Sequence, residues 1–247
     1  MGYPFPNIKI RVYPKTFLKD VRICVLFSEV PLNEDLQNCA GEFFQNKFGL
    51  AGVKMEEMPK AVSVFSKDNN IRFAFGLSRV DLSIKRDAYR SFVEIDSYLQ
   101  MVYSFLSALN RDFATKIIFS KYNELGYEAK ENTTVAEVME GVFSGDLLES
   151  MTKRDRDAQK HLSRWEKIVS ANGDDETKST FMIEYGFSKK PESTIGSCLT
   201  LKTLIESNVE EISFSDIPRV LTEYNQILDN AFHWSVSDQV LNAMKKK

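Results

Sequence analysis

The chain is short of the residues on which most recognisable chemistry is built. Among 247 residues there are two histidines, His161 and His233. That leaves no multi-histidine metal site, and no pair of cysteines has zinc spacing. The three cysteines, Cys24, Cys39 and Cys198, are odd in number and unpatterned. They read as buried reduced thiols in a reducing compartment rather than as a disulfide framework. The 11 glycines are scattered, so there is no phosphate-cradling loop and no Gly-x-Ser-x-Gly nucleophile elbow. With only 7 prolines as well, the chain is neither low-complexity nor mostly loop. No run approaches the roughly 18 apolar residues of a membrane span. The start, Met1-Gly2-Tyr3-Pro4-Phe5-Pro6, lacks the charged-then-apolar order of a signal peptide, and Pro6 stands where a myristoylation site needs Ser or Thr. A cytoplasmic protein with no cofactor and no membrane contact is expected.

Charge is also lacking in excess. A net charge of −3 gives no global field to draw the chain onto nucleic acid or an anionic surface, and leaves only local patches to consider. Hydrophobic content of 43% and charged content of 27% are those of an ordinary globular protein, long enough to bury a sizeable core.

The patterning is rich in both periods. Residues 8–13 alternate apolar and polar as a half-buried strand does. Val21, Ile23, Val25 and Phe27 repeat at period two, with Cys24 and Leu26 on the other face, which predicts a strand over 18–28 covered on both sides. A helix from about 33 to 48 follows, then a loop over 50–59. Strands are predicted at 61–65, 71–75 and 80–84, the first two joined by a turn at Lys67-Asp68-Asn69-Asn70. Ile95, Tyr98, Leu99, Val102, Phe105, Leu106 and Leu109 then form a helical stripe.

The second half opens with a strand over 115–123. Thr133 or Thr134 caps a short helix that ends at Gly145-Asp146. Strands at 163–171 and 179–187 flank the turn Asn172-Gly173-Asp174-Asp175, and a third lies at 197–206. A long helix from about 215 carries Ile217, Val220, Leu221, Tyr224, Ile227 and Leu228, with Pro218 in its first turn. A last helix ends in three lysines, which suits a helix C-terminus.

Laying Phe92 over Phe214 brings Ile95 onto Ile217, Leu99 onto Leu221, Val102 onto Tyr224 and Leu106 onto Leu228. Both halves read strand, helix, three strands, long helix. The expected class is α+β, with an antiparallel sheet or two joined sheets and long helices on one face. It is further expected to be a pseudo-duplication of that unit over 1–112 and 113–247, or one continuous domain of irregular order.

Three candidate sites remain. The segment Lys153, Arg154, Arg156, Lys160, Arg164 and Trp165 could grip phosphates and stack a base. Asp155, Asp157 and Glu166 are interleaved with it, so a solvated face or a partner-binding charged loop is the simpler reading. Asp174-Asp175-Glu176 could hold a divalent cation, but a hairpin turn explains it better. His161 reads as solvated, and His233, between Phe232 and Trp234, as a packed or capping histidine rather than a catalytic one.

Three stretches together resemble a sporadically distributed family of uncharacterised bacterial and archaeal proteins of about this length. They are Ser78-Arg79-Val80-Asp81-Leu82 with Tyr89-Arg90-Ser91-Phe92, then Ile117 to Leu125, then Leu228-Asp229-Asn230-Ala231-Phe232-His233-Trp234 through Leu241. The family more usually has Trp where Phe92 sits and a histidine earlier than His233. The second stretch also lacks the family's Arg and Gly. The family has no established activity, so the resemblance implies an architecture and no catalytic residues. Its patchy distribution implies mobile or defence-related gene neighbourhoods.

The function expected is a non-enzymatic interaction subunit or neutralising partner in a bacterial multi-protein system, such as anti-phage defence. Its partner would be a protein encoded nearby, with homo-oligomers open. The alternatives are a nucleic-acid binder using 153–165 and an enzyme with an unrecognised carboxylate site.

Overall fold

The computed structural model describes residues 3–8, 13–29, 38–43, 46, 52–57, 60–66, 68–89, 92–109, 112–126, 133–152, 166–172, 179–187, 198–208 and 210–246. The strands are β1 (Leu18–Phe27), β2 (Gly52–Glu57), β3 (Lys60–Phe65), β4 (Ile71–Gly76), β5 (Arg79–Lys85), β6 (Phe113–Gly126), β7 (Glu166–Asn172), β8 (Thr180–Phe187), β9 (Cys198–Glu206) and β10 (Ile212–Ser213). The helices are α1 (Phe92–Ala108), α2 (Val135–Val142), α3 (Gly145–Thr152), α4 (Ile217–Ser235) and α5 (Asp238–Lys245); residues 38–43 are also helical. The class is α+β.

Among the described residues, all strands join one ten-stranded sheet in the order β2-β3-β4-β5-β1-β6-β9-β8-β7, with β10 on β6. Every pairing is antiparallel. The sheet is continuous through the boundary expected at 112/113, because β1 pairs with β6 over most of its length.

The period-two pattern decides which face is buried. In β1, Val21, Ile23, Val25 and Phe27 are buried, whereas Asp20, Cys24 and Leu26 are half-exposed and Arg22 is exposed. β6 repeats this with Ile117, Phe119, Lys121, Asn123 and Leu125 inward. On that covered face Phe92 of α1 stacks on Phe119 at 5.9 Å, and Lys121 bonds Asp229 of α4. The two longest helices therefore pack on the same side. Tyr103 of α1 stacks on Phe214 at 5.1 Å, just before α4. Expecting β1 to be covered on both sides was wrong: its Cys24 and Leu26 face is half-exposed.

Three further expectations change. Residues 52–57 are a strand, not a loop; β2 lies at the sheet's edge and owes its conformation to the ladder with β3. Gly145 begins α3 rather than ending α2. The hydroxyl of Ser144 accepts from Leu147 N at 3.1 Å and restarts the helix. Four strands, not three, separate residues 38–43 from α1. Of the strand expected at 8–13, residues 9–12 lie outside the described residues, and Ile8 and Tyr13 are not in a strand. Ile8 is instead tied to α4: its N–H donates to Asn230 Oδ1 at 3.3 Å and its carbonyl accepts from Gln226 Nε2 at 2.8 Å.

The helix ends interlock. The C-cap of α2, Phe143, forms an isolated bridge with the C-cap of α4, Val236. Ser144 Oγ donates to Trp234 O and Ser237 Oγ donates to Gly141 O. Each serine also caps the helix that follows it, so four helix ends satisfy one another. The N-terminus of α2 has the expected cap. Thr134 and Glu137 form a reciprocal box that satisfies two of the helix's otherwise unpaired N–H groups.

Candidate functional site: a polar pocket under the long helix and an open sheet face

The sequence-predicted segment Lys153, Arg154, Arg156, Lys160, Arg164 and Trp165 lies outside the described residues, as do His161 and Asp174-Asp175-Glu176. Among the described residues, no group of three or more His, Cys, Asp or Glu could hold a metal ion. Among the described residues, no helix is long and apolar enough to cross a membrane.

The structure assembles a different site, from β6 and α4. Inward positions of a central strand are normally apolar, yet β6 turns Lys121 and Asn123 inward between Phe119 and Leu125. A buried ammonium needs a partner. Lys121 finds it in Asp229, with Nζ to Oδ1 at 2.5 Å, and their side chains are 9% and 24% exposed. Asp229 is held in turn by Asn225, one turn earlier on α4, whose Nδ2 donates at 3.4 Å. One turn later, His233 Nδ1 donates to the Asp229 carbonyl at 2.7 Å. A carbonyl can only accept, so Nδ1 carries a proton, and Nε2 lies within hydrogen-bond distance of the Tyr13 hydroxyl at 3.1 Å. His233 is thus packed against Tyr13, their ring centroids 5.5 Å apart.

Tyr13, Lys121, Asn123, Asp229 and His233 line a half-open cavity of about 190 Å³ with Lys15, Tyr89, Phe232 and Met244. Burial, and then the neighbouring Asp229 carboxylate, push the Tyr89 hydroxyl up to about 12. It is a neutral donor at physiological pH. Two atoms behind the cavity take no hydrogen bond. Thr203 stands opposite Lys121 in the β6–β9 ladder, and its buried Oγ1 is unpartnered, as is Asn225 Oδ1. The signals in sequence were the two polar residues on the inward parity of β6 and the Asn225, Asp229, His233 spacing on one helix face.

The second feature is the other face of the sheet. Arg22 of β1 lies opposite Ser83 of β5, and Ser83 opposite Arg72 of β4. This row crosses a shallow concavity of about 490 Å³, whose lining includes Arg79, Asp81 and Glu29. Arg79 grips Asp81 through two bonds of 2.6 Å, and Arg22 Nε donates to Asp20 at 2.7 Å. Arg72 Nη2 donates to Ser63 at 3.1 Å. Further along, Lys116 pairs with Glu206 and Lys202 with Glu184. Such a surface is polar but nearly charge-balanced.

Cys24 sits in the same face beside Asp81, directly opposite it in the ladder. Burial, and then that carboxylate, push its thiol from an ordinary 9.0 up to about 12. Cys24 is therefore a poor nucleophile. Cys39, expected to be buried, is exposed. The sign of linkage follows from the raised value. The unfolded thiol ionises first, so the stability that Cys24 contributes is complete below pH 9 and is lost as pH rises toward 12. The urea midpoint is expected to fall over that interval more steeply in the wild type than in Cys24→Ala. Parallel slopes would show that Cys24 does not contribute.

No protein-family model matches the chain and no curated protein matches it, so its chemistry is read from the pocket and the open face themselves.

Proposed function

We propose that the protein is a non-enzymatic interaction subunit, or neutralising partner, of a cytoplasmic bacterial multi-protein system of the anti-phage kind. Its open sheet face would receive a polypeptide encoded by a neighbouring gene. The observation that carries this reading is the Arg22–Ser83–Arg72 row across a concave, half-exposed sheet face on the side away from α1 and α4. Arginines in a fixed fork geometry recognise carboxylates and backbone carbonyls. A broad polar surface with paired charges sets orientation and selects partners more than it adds affinity. The raised thiol of Cys24 agrees with a surface that binds rather than reacts.

The sheet order also supports reading the halves as duplicates. From the β1–β6 junction outward, β5 and β9, β4 and β8, and β3 and β7 occupy matching places, with β2 as an addition. Resemblance to the sporadically distributed bacterial and archaeal family is part of the same proposal.

The test is co-expression with the products of adjacent genes, followed by purification through a tag on this chain. One of those products is expected to co-purify in fixed ratio. The double variant Arg22→Glu, Arg72→Glu should weaken that complex at least about tenfold while its melting temperature stays within a few degrees. Recovery of no neighbour product, or a complex indifferent to the double variant, overturns the proposal.

A further inference from the structure

We propose that the cavity between α4, β6 and residues 13–16 is a binding site for a small organic carboxylate of about benzoate size. It lies on the covered side of the sheet, opposite the docking face, and does not rest on the function proposed above. Its volume of about 190 Å³ leaves room for one flat ring, and the pocket is half open to solvent. The rings of Tyr13, Tyr89 and Phe232 supply walls for a flat apolar body.

The polar end is set by unspent donors. Lys121 carries three N–H groups and gives one to Asp229. The Tyr89 hydroxyl lines the cavity with no hydrogen-bond partner among the described residues. Lys15, an exposed residue, also lines the cavity, so the lining carries two lysines and one aspartate. Asp229, by contrast, is already engaged by both Lys121 and Asn225. Lys121 thus keeps two N–H groups without an acceptor. One negative charge balances the lining, whereas a phosphate dianion would exceed the available cations beside Asp229.

Isothermal titration with sodium benzoate tests the site, with benzyl alcohol and inorganic phosphate as comparison probes. Benzoate is expected to bind saturably with a sub-millimolar Kd and to raise the melting temperature. Benzyl alcohol should bind about tenfold or more weakly, because it lacks the charge-assisted bonds. Tyr89→Phe should weaken benzoate about three- to tenfold. The paired variant Lys121→Met, Asp229→Leu should abolish binding, and Lys15→Gln supplies the charge test if that pair fails to fold. No saturable benzoate binding, equal affinity for benzyl alcohol, tighter binding of phosphate, or unchanged affinity in Tyr89→Phe and the charge variants overturns the proposal.

Discussion

Asp229→Ala is expected to destabilise the protein by about 3–5 kcal/mol, among the largest effects of any single polar substitution in the chain. The reason is what it leaves behind. The Lys121 ammonium is 9% exposed and has Asp229 as its only carboxylate within ion-pair distance among the described residues. Without that carboxylate, a charge is left 5.9 Å from the centre of the Phe119 ring. Lys121→Met should cost less, because Asp229 is 24% exposed and retains its bond from Asn225. The double variant Lys121→Met, Asp229→Leu should recover most of the Asp229→Ala loss, since apolar side chains of similar size replace buried ion pairs at little cost. Urea denaturation of the three variants is the measurement. Equal losses for both single variants would show that the pair is solvated rather than buried.

Phe119→Ala should cost a similar or larger amount, about 3–5 kcal/mol, for a different reason. Phe119 is fully buried at the centre of the sheet, opposite Ile23 on one side and Ile205 on the other, with Phe92 stacked on its ring. Truncation opens a cavity that the rigid ladders on both sides cannot close. Hydrogen exchange should then quicken in α1 as well as in β6, because Phe92 loses its seat. Phe113→Ala, in the same strand but 51% exposed, should stay within about 0.5 kcal/mol. A Phe119→Ala loss no larger than that of Phe113→Ala would place the core elsewhere.

Much of the scaffold was legible because its signal is local. Val21 to Phe27, Ile71 to Phe75 and Val80 to Ile84 alternate cleanly, and the stripes of α1 and α4 keep helical spacing with well-placed ends. What failed was decided by partners. Gly52–Glu57 alternates only over Val53 to Glu56 and carries a glycine and two glutamates, so its ladder with β3 decides that it is a strand. Gly145 looked like a terminator until the Ser144 cap next to it is counted. The site was half-legible. Lys121 and Asn123 on an inward parity are a warning within one strand, and the Asn225, Asp229, His233 spacing is visible on one helix. That the two sets meet depends on strand order, across 108 residues of sequence. The charged segment at 153–165 drew attention because composition shows charge, and composition says nothing of where charge is buried.

The place of β1 in the sheet has a consequence for how the chain is made. β1 is an early strand, yet one of its two neighbours is β6, which ends only at Gly126. While the ribosome is still producing the first half, the meander β2 to β5 can close on one edge of β1. The other edge, with its row of unpaired amides and the buried-face Val21, Ile23 and Val25, stays open. An open central edge is adhesive toward any other nascent copy. Polysomes carrying several such chains would bring like edges together. Fast elongation through residue 126 therefore protects this fold, and truncation between α1 and β6 should yield a fragment that aggregates rather than a stable half.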